Sequence, residues 1–298
     1  MNKIWICAIA KMEELYIQEW IEWHKKIGVD HIIIGDNNDS NYEIPLQPII
    51  QSYIDSGYVE LVNLNDKLGY QQTFYAEIYQ TRKEEFDWIG FIDIDEFVEI
   101  KKQENIKDFL NQSIFKNTDS ILFCWKVYGD SGKIHYEPKP VKERFTKPTK
   151  FCNFNGIKYF IRGHLNGVIK LCSIHNPELG NFQEGYKIKV CDVLGNFGFI
   201  KKLKEDKGDN YYTQIFINKE YYQTAYLSHY ITKSTEEYIK YKSLRGRCDR
   251  KVNNYEPRYT ERAYFVHNDK TLEKVKLFKE YRDRIKEFKE IQLNKYNS

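Results

Sequence analysis

None of the six cysteines in this 298-residue chain forms a C-x-x-C pair, which removes zinc ribbons and compact disulfide scaffolds from consideration. Cys7 and Cys124 stand inside apolar runs, the setting of buried thiols in a reducing compartment, so cytoplasmic residence is the default expectation. No apolar run approaches the ~20 residues a helix needs to cross a bilayer. The opening MNKIWICAIAKMEE has no small-residue cleavage site and is expected to be a first strand rather than a signal peptide. Charge of one sign is also lacking. The balance of 46 basic against 43 acidic residues leaves a formal +3, too little for a protein that holds nucleic acid by neutralising many phosphates. Repeats and low-complexity tracts are absent. What is present is ordinary apolar material, 41% of the chain, enough for one large domain or two small ones. Tyrosine and phenylalanine, 24 and 18, suit a carbohydrate-facing surface and an aromatic core equally well.

Periodicity alternates along the first hundred residues. Ile4 to Ile9 is a β-branched run, and Met12, Leu15, Tyr16, Trp20, Trp23 and Ile27 recur at helical spacing up to Gly28. His31 to Gly35 predicts a second strand, closed by the polar cluster Asp36 to Asn41. Ile49 to Ser56 predicts a helix stopped by Gly57, Tyr58 to Leu64 a third strand, and Thr73 to Glu85 a third helix. This βαβαβαβ rhythm implies a mainly parallel central sheet with helices on both faces, because parallel neighbours require crossovers. Further on, Ile106 to Phe115 reads as helix, and Ser120 to Val127, Lys158 to Arg162, Gly167 to Ile174 and Thr224 to Ser228 as strands. Tyr128 to Phe154, with its glycines and prolines, reads as loops. Ser234-Thr-Glu-Glu opens a capped helix. Leu272 to Leu293 makes a last one, with an apolar stripe of Val275, Phe278, Tyr281, Ile285, Phe288 and Ile291 and many lysines facing away. Such a helix packs on its own domain or lies on anionic lipid as a peripheral contact.

Between these elements, Trp88 to Val98 reads WIGFIDIDEFV, an apolar strand that ends in Asp93, Asp95 and Glu96. Burying a carboxylate without a partner costs several kcal/mol, so a cationic group is expected there. Strand alternation puts Asp93 and Asp95 on one face at the carboxyl end, where open α/β sheets bind ligands. A carboxylate pair suits a hard divalent ion shared with a diphosphate. The plain alternative is a strand that runs into an acidic turn.

Four blocks, ICAIAKMEELYIQEWIEWHKKIGVDHIIIGDNN, QQTFYAEIYQ, DWIGFIDIDEFVEI and LSHYITKSTEEYIKYKSLRG, occur in that order over roughly residues 3 to 246. Together they resemble the successive signature blocks of the family 92 glycosyltransferases and their bacterial relatives in the family 2 superfamily. The resemblance implies an α/β GT-A fold over residues 1–232, with residues 233–298 as a helical extension packed on it. It also implies transfer of a hexose from a nucleotide-sugar, UDP-sugars favoured, to a glycan or lipid-linked glycan acceptor in surface polysaccharide synthesis. Mn²⁺ or Mg²⁺ is the implied cofactor, inversion the implied stereochemistry, and nucleic acid is not an implied partner.

Carried over by position, the first aspartate, Asp93, is expected near the ribose and the metal's waters, and Asp95 as a direct metal ligand. Glu96 is expected to orient its neighbours or to be an exposed turn acid. His229 and Lys233 match a His-Tyr…Lys motif in which the histidine completes the metal site and the lysine meets the diphosphate; His175 competes as metal ligand. Ala10, Lys11, Glu14, Asp36 and Asn37, at the ends of the first two strands, are expected to line the nucleotide pocket. Met12 replaces a frequent family Asn there. Gln71, Gln72 and Tyr75 either touch the donor sugar or form a polar helix start. Lys158, Arg162 and His164 make a basic neighbourhood suited to phosphate. Glu178 and Glu184, with Asp192 behind them, are the candidate acceptor bases, Glu178 first. Two other classes stay open: a nucleotidyltransferase, although Ala8 to Glu14 has no glycine for a phosphate loop, and a non-catalytic sugar-binding protein of the same fold.

Overall fold

The computed structural model describes residues 2–149, 156–197, 200–204, 211–215, 219–245, 248–249 and 260–297. Its first part follows the alternating pattern: β1 (Ile4–Ala10), α1 (Ile17–Lys26), β2 (His31–Asp36), α2 (Leu46–Asp55), β3 (Val59–Asn63), α3 (Gln71–Arg82) and β4 (Trp88–Phe91). These four strands lie in the order β3-β2-β1-β4, all parallel. Every residue of β1 is buried, as expected of a strand covered on both faces. Gly28 and Gly57 end α1 and α2 with positive φ angles of 94° and 72°. The first helix begins later than its periodicity suggests. Met12 takes a φ of 52°, its N–H donates to Asn38 Oδ1 at 2.7 Å, and the chain turns once through Glu13 before α1 starts.

The acidic segment is not one strand. β4 stops at Phe91, and β5 (Glu96–Ile100) pairs antiparallel with a strand near the chain's end. In the sheet's order β4 and β5 are four positions apart. Four strand spacings in a flat sheet span about 19 Å, and the residues between reach at most about 18 Å. The sheet therefore curls, bringing β5 back beside β4. Ile92 and Ile94 are buried in the connection, and Trp20 Nε1 clamps it by donating to the carbonyls of Asp93 and Glu96 at 3.0 and 2.8 Å. The aspartates thus sit on a turn at the end of β4 rather than within a strand.

The rest of the chain contributes α4 (Ile106–Leu110), β6 (Ser120–Val127), α5 (Val141–Arg144), β7 (Ile157–Arg162), β8 (Val168–Lys170), β9 (Asn181–Phe182), β10 (Val190–Asp192), β11 (Ile200–Lys204), β12 (Tyr211–Ile215), α6 (Tyr221–Thr224) and β13 (Ala225–His229). β7 runs antiparallel to both β4 and β6. β10 and β13 pair in turn with β6, both parallel to it, and β5 closes the edge. The short pairs β8–β9 and β11–β12 stand apart.

After β13 come α7 (Thr235–Glu237), α8 (Glu261–His267) and α9 (Leu272–Asn297). The predicted cap is present: Ser234 Oγ accepts from the Glu237 N–H, and Glu237 accepts from the Ser234 N–H. The helix is only one turn long and passes into a π-helical turn, Tyr238–Lys242. Tyr238, Ile239, Tyr264 and Phe278 form a small second core, flanked by Tyr281. Ile285, Phe288 and Ile291 of the predicted stripe lie outside the described side chains. Lys274 of α9 and Tyr264 of α8 both donate to Asp130 Oδ2 at 2.5 Å. Among the described residues, no helix is long and apolar enough to cross a membrane.

Candidate functional site

The carboxyl ends of β1, β4 and β13, together with the π-helical turn, enclose a cleft of about 100 Å³. Lys11, Glu13, Gln71, Asp93, Asp95, Trp125, His175, His229, Lys242 and Arg245 all face it. Sequence separations of over two hundred residues close here, because parallel strands present all their carboxyl ends along one edge.

Asp93 is held on both oxygens. Gln71 Nε2 donates to Oδ1 at 2.8 Å, and Lys158 Nζ donates to Oδ2 at 2.8 Å. Lys158 comes from β7 and is wholly buried, with Glu96 Oε2 3.9 Å from the same ammonium. Burial works against its charge, but the carboxylates of Asp93 and Glu96 prevail and hold it above the ordinary lysine range. Glu96 is buried as well and accepts the Asp93 N–H at 3.1 Å, fixing the turn. Burial pushes its carboxyl well above the usual range, with Lys158 opposing and Asp93 and Asp95 adding to the rise.

Asp95 is buried two residues on and accepts from Lys242 Nζ, with His229 Nε2 3.5 Å and Arg245 Nη2 4.0 Å away. Burial alone would raise its carboxyl. Lys242 and His229 reverse that and hold it well below the ordinary range. His229, at the end of β13, stacks edge-on against Trp125 at 4.3 Å. Burial keeps its imidazole below the ordinary range, although Asp95 pulls the other way.

Asp95, Glu96 and His229 each offer one ligand atom, and these atoms lie within 4.8 Å of one another. Glu96 Oε1 and His229 Nδ1 are buried without a hydrogen-bond partner. Carboxylate oxygens with one imidazole suit Mn²⁺ or Mg²⁺. These residues fit a divalent ion, and the orphaned atoms are what an ion or its waters would satisfy. Asp93 and His175 face the same cleft outside that triplet, His175 through a ring whose Nδ1 meets the Ile157 carbonyl at 2.9 Å.

Lys233 has a positive φ of 55° and is buried, with its ammonium 3.8 Å from the centroid of the Tyr16 ring. Burial pushes it down to about 8. It borders a smaller cavity beside the cleft, shared with Glu13, Lys242 and Arg245. Arg245 pairs with Glu13 and donates to the Lys11 carbonyl at 3.2 Å. Of the strand-end residues, Lys11 pairs with Asp39 at 3.0 Å, and Glu14 accepts from Tyr42 at 2.6 Å. The Asp36 carboxyl, raised by burial against the pull of the Asn38 N–H, accepts from that N–H at 3.1 Å. Ala10 is buried at the end of β1, and the side chain of Asn37 ties loops together by donating to the carbonyls of Leu64 and Lys67 at 2.7 and 2.8 Å.

The basic neighbourhood divides. Lys158 enters the site, Arg162 donates to the carbonyls of Thr118 and Phe115 at 2.7 and 3.0 Å, and His164 pairs at the surface with Glu84 at 2.5 Å. Tyr75 approaches Asp93 at 3.5 Å, whereas Gln72 reaches the Cys172 carbonyl. Glu178 sits on a short turn, Pro177–Leu179, Glu184 is exposed beyond β9, and neither lines the cleft. Asp192 is buried and accepts from Tyr221 at 2.7 Å. Glu13, within the Ala8 to Glu14 segment expected at the nucleotide pocket, faces the cleft, and sequence reading assigned no role to Lys242, Arg245, Trp125 or Asp249, which face it too. Lys242 and Arg245 lie within a quoted family block, but no local signal in YIKYKSLRG says that its cations reach back to β1 and β4.

The carboxyl edge of this α/β sheet thus gathers carboxylates, an imidazole and several cations, and comparison with known proteins gives the chain its family. The sequence profile of glycosyltransferase family 92 matches residues 6–294. The chain belongs to glycosyltransferase family 92. It is 26% identical over 142 residues to the family 92 protein Os08g0121900 of Oryza sativa subsp. japonica, a match covering 47% of this chain and 24% of that protein. With the family 92 protein RCOM_0530710 of Ricinus communis it shares 26% over 147 residues, 49% of this chain and 26% of that one. The matched region is about a quarter of the length of these curated relatives. Among solved structures, S. aureus TarS 1-349 in complex with UDP overlaps with a TM-score of 0.35 at 15% identity, over 54% of this chain and 46% of that one. The mannosyltransferase PcManGT from Pyrobaculum calidifontis, in complex with GDP-Man and Mn²⁺, overlaps at 0.28 and 9%, over 41% and 35%. Overlaps this partial bear on neither donor nor metal. With the family shown, the GT-A fold expected from the resemblance is the curled, mainly parallel sheet described above.

Proposed function

We propose that this chain transfers a hexose from a nucleotide-sugar, UDP-sugars favoured, to a glycan or lipid-linked glycan acceptor, with inversion and with Mn²⁺ or Mg²⁺, in surface polysaccharide synthesis. The observation that supports this reading most is the convergence of Asp93, Asp95, His229 and the cations Lys242 and Arg245 in one cleft at the carboxyl edge of the sheet. Asp95, His229 and Glu96 would hold the metal, with Asp93 turned toward the ribose and His175 as the alternative ligand. When bound, such an ion acts as a Lewis acid for the charge that develops on a departing diphosphate. Lys233, Lys242 and Arg245 would supply positive charge to the same oxygens, and a lysine does so as a point charge. Lys11 and Gln71, which face the cleft, would border the nucleoside, with Ala10, Glu14, Asp36 and Asn37 at the neighbouring strand ends.

Inversion needs a carboxylate that takes the acceptor's hydroxyl proton. Glu178 is assigned that role ahead of Glu184, because its loop reaches the cleft through Ile174 and His175. Lys276, Lys279 and Lys286, exposed on α9 among the equally exposed Glu280 and Glu287, would make any peripheral contact with an anionic membrane from the cytoplasmic side. Incubation with a panel of UDP- and GDP-sugars plus Mn²⁺ tests the central claim. Metal-dependent release of free nucleotide is expected. Release of pyrophosphate instead indicates nucleotidyl transfer, and no turnover with any donor indicates a binding protein.

A further inference from the structure

We infer that Lys242 is an internal stand-in for the divalent ion: its ammonium and the metal compete for Asp95, and the lysine passes to the donor's diphosphate when the metal enters. This rests on the metal-dependent reading above. Lys242 Nζ donates to Asp95 Oδ2, and both side chains are buried. The same carboxylate belongs to the only group of three such side chains, among the described residues, whose ligand atoms converge. An ammonium and a divalent cation at contact distance from one carboxylate repel each other strongly in a buried setting. Each therefore weakens the other's hold on the carboxylate.

The two lysines of the site differ in freedom. Lys158 stems from the middle of β7, is fully enclosed, and is gripped by Asp93 and Glu96 at 2.8 and 3.9 Å. Lys242 stems from a single π-helical turn, an element frequent where backbones rearrange at functional sites, and its four-carbon arm lies along the cleft. Its alternative position is already prepared. The neighbouring cavity is lined by Lys233, Lys242 and Arg245 together with Glu13 and Glu237, each acid already paired with an arginine, so a phosphate oxygen at its edge would meet the charges of Lys233 and Lys242 once Asp95 is taken by the metal. Competition in the free protein and cooperation in the loaded one then follow from a single side chain.

The test measures Mn²⁺ binding to the full chain by the loss of free-ion EPR signal, beside thermal unfolding, for wild type and Lys242→Met, with and without UDP. Without UDP, the variant should bind Mn²⁺ about tenfold more tightly, and added Mn²⁺ should raise its Tm more than it raises that of the wild type. With UDP present the order should reverse, because the variant has lost a phosphate partner. Lys242→Gln, which keeps a hydrogen-bond donor for Asp95, should behave like Lys242→Met and serves if the latter does not fold. Lys242→Arg should keep wild-type affinity. Equal or weaker Mn²⁺ binding by the uncharged variants without UDP overturns the inference and leaves the metal reading standing. If neither wild type nor variant binds Mn²⁺ in either condition, both readings fall. A purely structural lysine would lower Tm without moving Mn²⁺ affinity.

Discussion

Asp93 and Asp95 are two residues apart and each meets an ammonium, yet the lysines come from opposite kinds of structure. Lys158 rises from the interior of the sheet and neutralises Asp93 and Glu96 together. Lys242 arrives from a one-turn π-helical element after β13 and meets Asp95 within the cleft. The first pair has the geometry of permanent neutralisation. The second has that of an exchangeable one. Carboxylates in one acidic motif can thus keep their cation or exchange it, and the origin of the partner separates the two.

That distinction is open to direct attack. Asp95→Ala should reduce sugar transfer by about a thousandfold or more, roughly 4 kcal/mol of transition-state stabilisation, with an unchanged far-UV spectrum; Asp93→Asn should cost less. If the order is inverted, the wrong aspartate has been given to the chemistry. Lys158→Met strands the buried Glu96 and the partly exposed Asp93 and should lower unfolding free energy by about 3–5 kcal/mol in urea titrations, whereas Lys242→Met, which leaves His229 and Arg245 near Asp95, should lose about 1–3 kcal/mol. Equal losses would erase the contrast between the two lysines.

Acid probes the sheet side, where a buried base is matched by backbone instead of by a carboxylate. His24 lies in α1 with Nδ1 2.8 Å from the Trp20 carbonyl and Nε2 3.4 Å from the Val98 N–H, contacts that satisfy a neutral ring. Burial pushes its imidazole down to about 3, although the Trp20 carbonyl pulls it upward. The unfolded ring protonates near its ordinary ~6.5. Below that pH the unfolded chain binds a proton that the folded one refuses, so stability is full above 6.5 and falls as pH drops toward 3. Between pH 7 and pH 5 this contributes a loss of about 2 kcal/mol, read as the difference between wild type and His24→Gln. No difference would mean that the folded ring titrates normally. The smallest effect is expected at Lys240, whose pair with Glu236 at 2.5 Å lies on the same turn as Lys242 but faces solvent. Lys240→Ala should shift stability by under ~0.5 kcal/mol, and a loss as large as that of Lys242→Met would show that the turn itself, not the buried charge, is what matters.

Legibility followed the range of the interactions. Ile4–Ala10, His31–Asp36 and Val59–Asn63 are strands close to where alternation and turn residues place them, and the Ser234 cap is visible as a four-residue pattern. WIGFIDIDEFV misled, since its apolar residues are buried as a strand's would be, but β5 takes its partner from β13 some 130 residues on, and no local pattern shows where a sheet curls. Lys158, Arg162 and His164 look alike as neighbouring cations, and only packing sends the first into the cleft and the others elsewhere. Arg245 and Lys242 carried no local signal for a place beside Glu13 and Asp95.

By itself, then, the order of residues determined the alternating strands and helices, the family, and the presence of acids that required cations, because these depend on neighbours within a few positions or on motifs read directly. Which cation meets which acid, and that one lysine is wholly enclosed in the sheet while the other lines the cleft, was decided only when the curled sheet brought β4, β7, β13 and the π-helical turn to a common edge. Charges act over ångströms of space rather than along the chain, so their pairing is a property of the folded molecule.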